Sequence, residues 1–168
     1  MVSQFPASES ARSGWATGLV VGIALVLGAA LLPPYLPAPW RAALMAAFSA
    51  ACHQLPARSL HVDGVQLAVC DRCLGIYSGL LGGSLALWAL RRTWQRFETA
   101  GRYVLLGALV PLGIDWIGPV LGLWQNTPVS RALTGFLFGA VAGAFVVDRL
   151  LRSASSSAKR LSVQDRDA

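Results

Sequence analysis

Residues 103–124 read YVLLGALVPLGIDWIGPVLGLW. Asp115 is the sole charged residue in this stretch. A helix needs about 20 predominantly apolar residues to cross a bilayer, so the stretch reads as a membrane span. Three others read the same way: Trp15–Leu32, which stops at Pro33-Pro34, then Leu74–Leu90, and Val129–Leu151. The expected fold is all-α, an integral membrane four-helix bundle over residues 14–152. Composition agrees, since 55% of the 168 residues are hydrophobic and 13% are charged, against roughly 25% charged in an ordinary soluble domain. No small-residue cleavage site follows the first stretch, so it reads as a retained helix and not a signal peptide. Polar residues 1–13 and the Ser-rich tail 153–168 read as disordered.

The net charge of +6 does not point to nucleic acid. Arg91, Arg92, Arg96 and Arg102 fill the link between the second and third spans, and Arg149, Arg152, Lys159 and Arg160 follow the fourth. With four spans these places, and Arg12, share one side, which positive charge makes cytoplasmic. The chain is thus expected in a bacterial or archaeal cytoplasmic membrane, with both termini inside. Residues 52–73 and the turn Gln125–Pro128 then face outward, although Arg41, Arg58 and Arg72 place some positive charge there too.

All three cysteines lie in that outer loop: Cys52, followed by His53, and Cys70-Asp71-Arg72-Cys73. The preceding segment 39–51, PWRAALMAAFSAA, is helix-prone but too short to span. It reads as a short interfacial helix that delivers Cys52-His53. Between the two cysteine groups, Asp63-Gly64 flanked by Leu60-His61-Val62 and Val65-Gln66-Leu67 is a hairpin signal, because both central positions of a type I′ turn need positive φ. Such a hairpin would carry Cys70 back to Cys52. His61 reads as a surface residue of it.

Thiolate and imidazole are ligands that zinc prefers, and Cys-x-x-Cys is knuckle spacing. Cys52, His53, Cys70 and Cys73 are therefore candidate metal ligands, for zinc first and iron second, though adjacent Cys52 and His53 would crowd one ion. The same residues allow a membrane thiol–disulfide oxidoreductase, with Cys70 and Cys73 as the pair, Cys52 resolving, and Arg72 favouring thiolate. A third reading is a non-enzymatic accessory subunit in which metal or a disulfide merely staples the loop.

An intramembrane carboxylate is a functional-site candidate. Arg131, in the first turn of the fourth span, is the expected partner of Asp115, and the two are the candidate catalytic residues. Pro111 and Pro119 should free backbone carbonyls near them. Arg58 and Arg72, with Arg131, would suit an anionic lipid headgroup or lipid-linked phosphate. Glycines recur every four residues at 14, 18 and 22, at 75, 79 and 83, and at 135, 139 and 143. Each set makes a helical groove that allows close packing or docking of a membrane-complex partner.

The segments Cys52-His53-Gln54, Pro56, Arg58-Ser59 and Cys70-x-Arg72-Cys73-x-Gly75-Ile76-Tyr77-x-Gly79, with Asp115 and Arg131-x-x-Thr134-Gly135-x-x-x-Gly139, resemble the small predicted membrane proteins of domain of unknown function family 2085. Ala68-Val69 departs from that pattern, where Pro-Leu would be expected. The resemblance covers about residues 50–143. It implies a multi-helix membrane protein with a Cys/His cluster and brings no activity; Tyr77, with Arg58 and Arg72, is a candidate substrate contact.

Overall fold

The computed structural model describes residues 7–94 and 101–164, with side chains over 14–89 and 101–152. Its α-helices are α1 (Ala7–Leu31), α2 (Ala38–Ser49), α3 (Asp71–Trp94), α4 (Gly101–Val120) and α5 (Pro128–Gln164). Two short strands, β1 (His61–Val62) and β2 (Val65–Gln66), form an antiparallel hairpin with His61 opposite Gln66. Asp63 and Gly64 turn it at φ 51° and 77°, as a type I′ turn requires.

Among the described residues, three helices are long and apolar enough to cross a membrane: α1 over Gly14–Leu31, α4 over Gly101–Val120 and α5 over Pro128–Arg152. At 24 residues, α3 has the length. Its described part also carries Asp71, Arg72, two serines and four glycines, which dilute its apolarity. The backbone of α1 already begins at Ala7 and α5 continues to Gln164, so 7–13 and 153–164 are helical where the sequence suggested disorder. Residues 1–6 and 165–168 fall outside the described residues, as do Arg96 and the side chains of Arg12, Arg91, Arg92, Lys159 and Arg160.

Large apolar side chains face outward on all three apolar helices, among them Leu25, Val110, Ile117 and Leu133. This much exposed apolar surface suits lipid and not water. Exposed Trp15 and Tyr103 mark one end of the bundle, and exposed Tyr35, Trp40 and Trp116 lie toward the other, as interfacial aromatic belts do.

The bundle is built on α3 and α5, which pack most extensively and run parallel. Their glycine ladders interlock. A Cβ on Gly75, Gly79 or Gly83 would overlap the carbonyls of Ala132, Phe136 and Ala140, and a Cβ on Gly135, Gly139 or Gly143 those of Arg72, Ile76 and Leu80. Small residues thus let two backbones touch along about three turns. The α1 ladder differs: Gly14, Gly18 and Gly22 have open space where a Cβ would stand.

Two clusters sit at opposite ends. Leu87, Ala144 and Val147 pack with Leu19 and Leu151 at one. At the other, Ala30, Cys52 and Val69 pack with Phe48, Cys70, Cys73, Leu74 and Tyr77, so the cysteines are part of the core there.

Candidate metal centre

Cys52 leaves the C-terminal end of α2, where the Ala51 and Cys52 N–H groups both donate to the Phe48 carbonyl at 3.0 Å. Gln54 then takes a left-handed φ of 50° and turns the chain toward the hairpin. Its side-chain amide donates to the carbonyls of Met45 and Ala68, each at 2.8 Å. Gln66, on β2, donates back to the Gln54 carbonyl at 2.6 Å. The Ala68 N–H donates to the Ala30 carbonyl at 3.1 Å, fixing the returning strand to the end of α1. These bonds bring Cys70 beside Cys52, as the hairpin signal implied. Gln54 and Gln66 carried no such role in the sequence reading; their one visible mark is that Gln54 follows Cys-His in the motif.

Cys70 caps α3, its carbonyl accepting from Leu74 N–H at 2.9 Å, and Cys73 lies in the first turn. The Sγ atoms of Cys52, Cys70 and Cys73 all lie within 4.8 Å of one another. Cys52 is buried, Cys70 and Cys73 half-buried. Cys70 N–H donates to Cys52 Sγ at 3.2 Å. The positive end of α3 favours thiolate here. The hydrogen bond from the Cys73 thiol, with further bonds from Cys52 and the backbone, outweighs burial and draws the Cys70 pKa down to about 5.

His53 does not join the three sulfurs. Its side chain is exposed, because consecutive side chains of a non-helical chain diverge, and Cys52 is the one turned inward. His61 is exposed on the hairpin, as expected. Tyr77, one turn beyond Cys73, lines the cluster.

The expected Asp115–Arg131 pair is replaced by two crossed pairs. Asp115 binds Arg72 through Nη2, and Arg131 reaches Asp71 at 3.4 Å. Asp115 also accepts from Ser130 Oγ at 2.9 Å and Asn126 Nδ2 at 3.2 Å. Pro119 lacks the N–H that would bond the Asp115 carbonyl four residues back. That carbonyl instead accepts from Asn126 at 2.9 Å and Arg72 at 3.4 Å, so Pro119 acts as the sequence suggested. Asp115 lies nearer the helix end than expected, since α4 stops at Val120. There Gly122, at φ 70°, lets Leu123 N–H reach the Gly118 carbonyl at 3.0 Å, a glycine C-cap. The turn then enters α5 through a reciprocal cap: Ser130 N–H donates to Thr127 Oγ1 at 3.0 Å and Thr127 N–H to Ser130 Oγ at 3.1 Å. Arg72 and Arg131 are so engaged with carboxylates, whereas Arg58 is exposed at the Pro56–Arg58 turn.

The family model of a predicted membrane protein group, DUF2085, matches residues 52–145. The chain belongs to this family. The matched segment begins at Cys52 and takes in the three cysteines, both ion pairs and the interlocked glycines of α3 and α5. An uncharacterised protein of Methanocaldococcus jannaschii, MJ1492, is 35% identical over 96 residues, covering 57% of this chain and 61% of that relative. No solved structure matches the chain.

Proposed function

We propose that the protein is a four-span membrane protein whose outward loop binds a metal ion through Cys52, Cys70 and Cys73. The observation that carries this reading is the meeting of all three sulfurs within 4.8 Å. They come from two chain segments 18 residues apart, joined by a hairpin that is itself pinned to α1. In this reading α3 is the fourth span, sheltered by its glycine contact with α5, and α2 lies at the outer interface with Trp40 at headgroup level. Asp71, Arg72, Asp115 and Arg131 support the site by tying the start of α3 to α4 and α5. An anionic headgroup would be met by Arg58. Thiol–disulfide exchange is the rival reading, favoured by the Cys70-x-x-Cys73 spacing at the positive end of α3.

Metal content of detergent-purified, anaerobic full-length protein tests the proposal. About one equivalent per chain, lost in Cys73→Ser, is expected. Protein that folds normally yet holds no metal would overturn it.

A further inference from the structure

The surroundings of the three sulfurs bear on which ion they take, given the reading that Cys52, Cys70 and Cys73 form a metal site. Among the described residues, no fourth His, Cys, Asp or Glu joins the group. Asp71, between the cysteines, is turned to Arg131. Ala30, Phe48, Val69, Leu74 and Tyr77 pack beside the sulfurs, and none of them is a ligand that zinc prefers. Both nearby guanidiniums, Arg72 and Arg131, already face carboxylates, so they add no net positive charge to balance an anionic complex. A zinc ion on three thiolates would keep a negative charge and need a fourth donor. A trivalent thiophilic ion has neither requirement: three thiolates neutralise it, and its lone pair fills the remaining direction.

We propose that the site binds a trivalent thiophilic oxyacid of the arsenite class, through three sulfurs and no fourth ligand. The step is a condensation without change of oxidation state. Three arsenic–oxygen bonds break and three arsenic–sulfur bonds form. Each hydroxyl leaves as water, taking the proton of its thiol or, where Cys70 is already thiolate, one from solvent, which gives three waters. Cys70 and Cys73 alone would leave one hydroxyl on the ion; Cys52, held by the Gln54 turn, replaces it.

The test adds arsenite or Zn(II) to reduced full-length protein in detergent, with X-ray absorption at the bound ion and competition between the two. The expected result is one arsenic per chain with three sulfur neighbours and no oxygen, not displaced by equal zinc. In Cys52→Ser the spectrum should show two sulfurs and one oxygen, with affinity down by at least about tenfold. A retained oxygen in the wild-type spectrum, or displacement of arsenite by equal zinc, would overturn the inference and leave the metal site standing. Binding of neither ion would overturn both. The wild-type spectrum decides even if the variant fails to fold.

Discussion

At the scale of single residues, the ordering of the outer end rests on which carboxylate meets which guanidinium. Neighbouring positions on a helix point about 100° apart, so Asp71 and Arg72, adjacent at the start of α3, address different helices. Asp71 meets α5 and Arg72 meets α4. Breaking a buried pair leaves an uncompensated charge at a cost of about 3–5 kcal/mol. Removing Arg131 or Asp71 alone should therefore lower stability markedly, and the Asp71→Asn/Arg131→Gln double variant should lose much less than the sum. Double-mutant cycles on denaturation in detergent check this: coupling is expected within Asp71–Arg131 and within Arg72–Asp115, and greater than across Asp115–Arg131. The sequence marked Asp115 and Arg131 but paired them with each other, because the rotation of α3 about its axis, which turns Arg72 to Asp115 and Asp71 to Arg131, is set by the glycine contact with α5 and not by spacing. For the same reason Cys52 and His53 looked equivalent as ligands until the chain direction after α2 turned one inward.

At the scale of elements, α3 and α5 are held by backbone proximity, and that makes their glycines unequal to those of α1. Gly83→Ala should push the Ala140 backbone away and lower the midpoint of thermal unfolding. Gly18→Ala has room and should be neutral or stabilising, since alanine is favoured over glycine in a helix by about 1 kcal/mol. Thermal unfolding of both variants in the same detergent checks the contrast; equal losses would mean the ladders do not differ. The period of four was plain in all three helices, but which two ladders face each other was not, because the pattern gives a groove and not its occupant. The hairpin was legible because Asp63-Gly64 specifies its own backbone. The short helix before the cysteines was legible in extent, with α2 at Ala38–Ser49 against an expected 39–51.

At the scale of the whole molecule, a membrane bundle carries a thiol site at one end. The bundle was legible from apolar length alone, and three of the four expected spans stand as apolar helices. The fourth, α3, carries the polar residues that build the site, and this is why composition describes it less well. In the proposed reading Cys52, Cys70 and Cys73 act together as one metal site. It is tested most directly by alkylating folded, anaerobically purified protein and locating the labels by mass spectrometry, before and after a chelator and before and after a reductant. All three thiols are expected to be protected together and to become reactive together when the chelator removes the ion, with no reductant needed. Two thiols that stay blocked after chelation and open only with reductant would contradict it and assign the cysteines to disulfide exchange.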